Sequence, residues 1–577
     1  MDKGGVKMKK RKLICTITGV MIGTSMLIGC GGDKNVSKQS SSKTDGNSSQ
    51  EIKATEPKKI PTTAKNRSDT LIVGSGDFSG NFNPIYASSA PDMTVSGLIF
   101  DGMVKSNKEG EAEGSVAQKW EISEDNKTYT FNIKKGVKFS NGEELKASDI
   151  AFTYTALCDP NYDGARSSYV ENLVGYKDYK DGNASNIKGI KVIDDYTISF
   201  TLTNVDVTAI WNFGLGIMPK SVYDFPKGKI SKMKELFLKP IGVGAYKFVK
   251  YKPGQEVDLT SSNNYFQGEP KIKNIILKFT NAQTSIQELM AGDIDINDNV
   301  SANPENIQQI KSAGFMDIFL IPSNGYSYIG FNLKDKMFED KKVRQALTYG
   351  LDRKGFCESY YKGYAVVIDG PIPPTSWAYD SNISEYEYSP EKAEKLLDEA
   401  GWKKGSDGIR EKDGKKLAFS FSAYTGSKFV EALIPILKED YKKIGVEVTP
   451  ELMDFASLVS KTDKGDFETY VMAWNLAVDP DQSDFFLSNQ AKSGGFNRVH
   501  FINKDSDNLL NEQRKEMDKE KRKELLFKWQ NLMNKELPYI FLTQNKNCTV
   551  VSSRVENVKI SIYESWNTDI QDLELKN

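Results

Sequence analysis

The segment that most constrains the fold lies in the second half of the chain. Ala418–Tyr424 reads as a strand, Phe429–Lys443 as a helix, and Gly445–Leu452 as a strand returning beside the first. Such a βαβ-like unit predicts a sheet with helices on its faces. Its surroundings alternate in the same way. Asp340–Leu351 predicts a helix with Val343, Ala346 and Leu347 on one face. Ser389 is placed to cap a second helix, with Pro390 at its first position and Gly401 at its end; Ala393, Leu396, Leu397 and Ala400 fall at helical spacing. Phe467–Trp474 reads as a buried strand. A single charged helix is expected over Asp507–Lys535, with Leu525, Leu526, Trp529, Leu532 and Met533 inward and Pro538 ending it.

The first half has a different pattern. A short apolar strand, 69–74, ends in a turn at Gly74, Gly76 and Gly80, whose spacing does not fit a dinucleotide fingerprint. Tyr129, Phe131 and Ile133 alternate, which argues a half-buried strand. Asn141-Gly142 marks a turn, Ser148-Asp149 opens a helix through Leu157, and residues 188–202 read as a hairpin turning at Asp194-Asp195. This half is expected to be an α+β lobe of meandering strands.

The N-terminus stands apart from both. Lys7, Lys9, Lys10, Arg11 and Lys12 precede an uncharged stretch from Leu13 to Ile28 that closes on Leu27-Ile28-Gly29-Cys30. A basic start, a short apolar run and small residues at the cut describe a secretory signal. The run falls short of the roughly 20 residues of a spanning helix. Leu-Ile-Gly-Cys also resembles the bacterial lipobox, which implies a diacylglyceryl group on Cys30. Residues 31–66 are rich in Ser, Lys, Gly, Asn and Thr and are expected to form a flexible tether. Two acyl chains hold a protein on a membrane where one binds only marginally. Residues 1–29 hold six basic and one acidic residue, so 71 basic residues remain against 77 acidic, a balance of −6. That balance points to no nucleic-acid partner.

The chemistry-bearing residues are few. His500 is the single histidine among 577 residues, in an alternating stretch, 498–501, that reads as strand. A His-dependent triad would need that one imidazole, and His-based metal sites are excluded by number. Cys158, Cys357 and Cys548 are far apart and read as small buried hydrophobes, with one pair open as an option. Asp293, Asp295, Asn297 and Asp298 resemble the start of a calcium loop, but Pro304 stands where the closing Glu belongs. Asp479, Asp481 and Asp484 could mimic a glycosidase pair, and with His500 they are the only candidates for a hydrolase. No catalytic constellation and no cofactor motif emerges; the expectation is a binding protein and not an enzyme.

One long series of motifs resembles a known family. It runs from Ser115-Val116-Ala117-Gln118-Lys119-Trp120-Glu121 through Tyr129-Thr130-Phe131-Asn132-Ile133 to Asn141-Gly142-Glu143 and Ala147-Ser148-Asp149-Ile150. Asn83-Pro84, Phe100-Asp101-Gly102, Ile241-Gly242-Val243-Gly244-Ala245-Tyr246, Gly292-Asp293-Ile294-Asp295, Val343-Arg344-Gln345-Ala346-Leu347 and Leu396–Trp402 flank it in order. Beyond the tether the chain is similar to the family 5 extracellular solute-binding proteins, receptors that deliver oligopeptides and dipeptides to ABC importers.

The resemblance implies an α/β, two-lobed periplasmic-binding-protein-like fold (type II, cluster C). The first lobe would take 67–300 plus 540–577, with an extra α+β subdomain at about 100–215, and the second lobe 301–539. It implies a monomer on the extracytoplasmic face of the bacterial cell membrane, held by its lipid, with an oligopeptide ligand and the permease and ATPase subunits of an ABC transporter as partners. The segments matching the peptide-binding parts are Ser88-Ser89-Ala90 and Ala473-Trp474-Asn475, and Tyr328 falls on an aromatic of the site. Trp474 is equally readable as pocket or core. In the best-understood peptide receptors an Asp three residues after this Trp fixes the ligand's α-amino group; here that position is Ala477, and Asp479 follows two residues later. Either Asp479 substitutes, or the amino group is read differently. The Cys pair of some relatives would fall on Gly325 and Asn475. An oligosaccharide, a nickel chelate or a signalling peptide remain alternative ligands.

Overall fold

The computed structural model describes residues 48–281 and 283–576. The expected leader, Cys30 and the expected tether residues up to 47 lie outside the described residues. No helix among the described residues is long and apolar enough to cross a membrane.

Among the described residues, thirteen strands form one continuous sheet. Its organising element is the strand Tyr539–Ser552, which spans 14 residues. The first part of this strand pairs antiparallel with Gly325–Phe331, through Tyr539↔Gly330 to Thr543↔Ser327. Its second part pairs with Met316–Pro322 and with Ile296–Val300. One strand therefore belongs to both halves of the molecule. The chain crosses a second time at Pro322–Gly325, where the Ser323 N–H donates to the Asn545 carbonyl (2.8 Å) and Gln544 Nε2 donates to the Ser323 carbonyl (2.7 Å).

On the first-lobe side the sheet continues through Thr70–Ser75, Asn274–Phe279, Glu256–Ser261 and Tyr246–Lys252. Successive side chains of a strand point to opposite faces, and Thr70–Ser75 separates two cores in this way. Leu71 and Val73 enter a large cluster with Phe82, Phe100 and Trp566, whereas Ile72 packs against Leu289, Ile294, Ile310 and Val550 on the other face. Ala117–Ile122, Thr128–Ile133, Thr197–Thr201 and Ile190–Asp194 form a separate antiparallel sheet, within the stretch where the extra α+β subdomain is expected. The predicted alternation is realised there: Tyr129, Phe131 and Ile133 are buried and packed with the helix Ala147–Leu157.

The second lobe contains the predicted strand–helix–strand unit. Ala418–Tyr424 and Glu447–Met453 are parallel neighbours in register from Ala418↔Glu447 to Tyr424↔Met453. The crossover helix Lys428–Lys443 begins at Ser427, whose side chain accepts from the Val430 N–H. Ser389 caps Pro390–Glu399 as its sequence position required, accepting from the Lys392 N–H.

Several expectations are corrected. The segment expected to tether the chain as far as residue 66 is packed over its last part. Gln50–Ile52 pairs with Ile318–Leu320, Ala54 N–H donates to Asp317 (2.8 Å), and Ala64 is fully buried. A polar composition did not prevent this, because the bonding is made by backbone on an open strand edge. The helix Pro304–Ala313 and strand Met316–Pro322, which follow the expected first-lobe border at 300, share a core with Leu289 and Val550. The long helix is two, Lys504–Gln513 and Lys519–Glu536, because Asp518 caps the second by accepting from the Glu520 and Lys521 N–H groups. Within the second, Leu526, Trp529 and Met533 are buried, while Leu525 and Leu532 are only half-buried. The stretch around His500 is not a strand; His500 sits in the left-handed region at φ 58°. All three described cysteines are buried and unpaired.

The first-lobe strands are held by a buried ion network. Asp295 accepts from Arg554 (3.0 Å), Arg67 (3.0 Å) and the Ile72 N–H (2.9 Å), and both Asp295 and Arg554 are fully buried. Removing one partner of a buried pair strands the other charge, at about 3–5 kcal/mol. Asp295→Ala is therefore expected to lower unfolding stability by about that amount, read from urea denaturation.

Candidate functional site

The strand Thr469–Asn475 lies between Gly325–Phe331 and Ala418–Tyr424. It pairs with the first along its whole length, from Phe331↔Thr469 to Gly325↔Asn475. With the second it pairs only at Phe421↔Thr469 and Ser422↔Tyr470. Its last residues thus keep one backbone edge without a neighbouring strand, and Ala473 and Asn475 are exposed there. Gly325 is required opposite: a Cβ on it would run into the Trp474 carbonyl oxygen. Gly325 and Asn475 are register partners, which is where the resemblance set them.

Trp474 stands on this edge, half-buried. Its ring is parallel to Tyr328 (centroids 5.7 Å, 15°), and Tyr328 stacks in turn on Tyr539 (4.0 Å, 22°). Diagonal neighbours on adjacent strands lie within reach of aromatic rings, so the pairing register builds this stack. Tyr328 is fully buried and supports Trp474 without reaching the surface; burial holds its hydroxyl far above the usual tyrosine range. The other side of Trp474 meets Phe485 (4.4 Å) and the exposed Phe496 (5.9 Å), with the Arg498 guanidinium 5.9 Å from the Trp474 and Phe496 rings. Phe485, Phe496 and Arg498 were missed in the sequence, since Phe485 lies in the single-turn helix Ser483–Phe486 and the other two in an irregular segment, and neither carries a periodic pattern.

Asp479 is brought near the site and is already engaged. Both its oxygens accept from Arg522, at 2.7 and 2.5 Å, and both side chains are largely buried. In this two-point contact with a guanidinium the charge of Asp479, one of the two expected options for holding a ligand amino group, is balanced by the protein itself. Asp481 accepts from Ser483 Oγ (2.6 Å) and from Gln513, and lies 3.8 Å from Arg514. Arg514, in the break between the two helices, also pairs with Asp206 of the first lobe, and its carbonyl accepts from the Val207 N–H (2.8 Å). The Asp-Pro-Asp loop thus backs a contact that joins the lobes. The cluster proposed as a hydrolytic pair is charge-compensated by two arginines.

Ser88, Ser89 and Ala90 lie at the start of the helix Ala90–Ile99, where Ser89 Oγ accepts from the Asp92 N–H (3.2 Å). Ser88 and Ala90 are exposed. No hydrogen bond or ion pair among the described residues joins them to the second lobe.

Between the lobes, beside the crossing strands, is a cavity of about 340 Å³. Leu476 and Val478 of the second lobe, Asn324 and Asn547 of the crossing segments, and Asp298 with residues 560–565 of the first lobe line it. Asn324 Nδ2 fixes one wall by donating to the carbonyls of Leu476 (3.2 Å) and Ala477 (2.7 Å). Among the described residues no group of three or more His, Cys, Asp or Glu side chains is placed to hold a metal ion.

The family model for bacterial extracellular solute-binding proteins, family 5 middle, matches residues 111–497. The chain belongs to this family. It is 30% identical over 566 residues to the oligopeptide-binding protein AppA of Bacillus subtilis (strain 168), covering 96% of this chain and 97% of AppA. The family 5 chain also matches the structure of B. subtilis AppA in complex with a nonapeptide, with a TM-score of 0.75 over 89% of this chain and 99% of that one. NikZ from Campylobacter jejuni in complex with Ni(L-His) matches with a TM-score of 0.76 at 25% identity, over 88% of this chain and 99% of NikZ. The two-lobed α/β architecture is that of the family.

The Asp481 carboxyl is pushed up by burial from 3.8 to about 6, against the opposing pull of Arg514. An unfolded Asp ionises near 3.9. From about pH 4 upward the unfolded chain therefore gives up this proton first, and the stability that the raised group contributes below that pH is lost as pH rises through about 6. Asp481→Asn should remove that loss. Its stability relative to wild type is expected to improve by on the order of 2–3 kcal/mol between pH 4 and pH 7, read from urea unfolding.

Proposed function

We propose that this chain is a receptor that captures peptides outside the cell, between its two lobes, and hands them to the permease of an ABC transporter. The observation that carries the reading is the open backbone edge at Ala473–Asn475, beside Trp474 and leading into the cavity between the lobes. An extended peptide can add to such an edge through main-chain bonds that ignore side-chain identity. The structure of AppA in complex with a nonapeptide supports a peptide as the ligand. Ser88–Ala90 would approach the ligand from the first lobe, with Asn475 and the Trp474–Phe485–Phe496 face opposite. The receptor acts as a monomer and assigns no residue to a catalytic step. Calorimetry and native mass spectrometry of the purified chain with mixed peptides test this. Peptide retention is expected, and Trp474→Ala should weaken it by about tenfold or more, the effect of removing one stacked aromatic.

Cys30 would carry the lipid that keeps the receptor at the extracytoplasmic face of the membrane. Cys30→Ala is expected to move the protein from the detergent phase to the aqueous phase; a variant still partitioning into detergent would end the anchor reading.

A second reading is favoured by one observation, the match to NikZ holding Ni(L-His). A preformed chelate brings ligands of its own. Calorimetry with Ni(L-His) against peptides separates the two.

A further inference from the structure

One contact joins the lobes away from the crossing segments. Asp206 follows the strand Thr197–Thr201 and is fastened to its sheet, its carbonyl accepting from the Tyr129 hydroxyl (3.2 Å). Its carboxylate is aimed by Thr208, accepting from the N–H (3.1 Å) and from Oγ1 (2.7 Å). Arg514 lies in the second lobe, just past the helix Lys504–Gln513. Its guanidinium donates to the buried Asp206 carboxylate through Nη2 and, at 3.4 Å, through Nε. Its carbonyl accepts from the Val207 N–H (2.8 Å), so side chain and backbone meet at one place. Lys519 and Glu111 (3.7 Å) also join the lobes, but both side chains are exposed and such a pair contributes little.

Neither Asp206 nor Arg514 belongs to the 322–325 crossing or to Tyr539–Ser552, the segments about which the lobes can turn. Rotation there separates whatever the lobes share elsewhere. The contact is built to part without stranding a charge: Arg514 keeps Asp481, 3.8 Å away on its own lobe, while Asp206 keeps Thr208 and gains water. Breaking it therefore escapes the penalty of a buried, orphaned ion. The grip is also moderated, because one guanidinium serves several carboxylates. Burial raises the Asp484 carboxyl against the pull of Arg514, and Asp206 adds to that rise. We propose that Asp206, the Val207 N–H and Arg514 form a latch that holds the lobes closed when the cleft is empty and slows the departure of a ligand once it is inside. The closed population is then set by the protein before any ligand arrives, whatever that ligand is.

Hydrogen exchange read by mass spectrometry and small-angle scattering test this on wild type, Asp206→Asn, Arg514→Gln and the double variant, each shown by native mass spectrometry to be free of ligand. Asp206→Asn leaves an oxygen for Thr208, so the local turn is kept. The fragment containing Val207 should be protected in wild type and exchange about fivefold or more faster in each single variant, the loss of one charge-assisted contact. The radius of gyration should rise with it. The double variant should add little, since both substitutions break the same contact. Arg514→Lys should recover part of the protection, as a cation without the planar fork. Exchange in Thr128–Ile133 and Ala418–Tyr424, inside the two lobes, should stay at the wild-type level. From protein loaded with mixed peptides, release should be faster in both single variants. Free exchange at Val207 in wild type, or exchange, scattering or release unchanged in both single variants, overturns the latch. So does an equal loss of protection inside the lobes, which marks Arg514 as a support of the fold alone. Opening of the ligand-free variants where wild type retains no peptide upholds the latch and counts against the peptide reading.

Discussion

The two halves of this protein depend on one strand they hold in common. Tyr539–Ser552 gives its first residues to the second lobe and its last to the first. A backbone N–H or carbonyl in such a strand must find a partner on whichever side it lies. The ladder therefore ties the lobes without requiring a large packed interface between them. Together with the crossing at Pro322–Gly325 it leaves two covalent connections side by side, an arrangement suited to hinge closure about the crossing. The cavity lies against this crossing, so residues from both lobes meet there while each lobe keeps its own core.

Around that hinge, charge is placed with two different purposes. The Asp-Pro-Asp loop is sealed by Arg522 and Arg514, and Arg514 reaches across to Asp206. These are contacts of the protein with itself, and they occupy carboxylates that a motif search reads as available. At the cavity wall the exposed Asp298 carboxylate instead accepts from Trp566 Nε1 (3.2 Å) and forms no ion pair among the described residues. Trp474 shows the same division among aromatics. One face of its ring is committed to the Tyr328–Tyr539 stack, and the other adjoins Phe485 and the exposed Phe496.

Much of the fold was legible because periodicity and caps are local. Tyr129, Phe131 and Ile133 alternate into a core, Ser389 caps its helix, and the unit from Ala418 to Met453 is wound as its pattern required. What escaped was set by contacts distant in sequence. Nothing near Gln50 announces a strand, since its partners are Ile318–Leu320. The break at Arg514 interrupts a helical pattern because Asp518 caps a new helix and Arg514 is drawn to Asp206 and Asp481. Asp479 looked like a free carboxylate for the same reason, its partner Arg522 lying in a helix with no sequence link to it.

The sequence by itself determined the strand–helix–strand unit, the alternating strands of the first half, the resemblance to a binding family and the poverty of catalytic groups, with one histidine in 577 residues. These follow from residue identity and spacing along the chain. Only the tertiary structure decided which carboxylates are spent and which are available. That choice depends on which arginines fold back to within a few ångströms of Asp479, Asp481 and Asp206, while Asp298 meets the neutral Trp566 at the wall of the cavity.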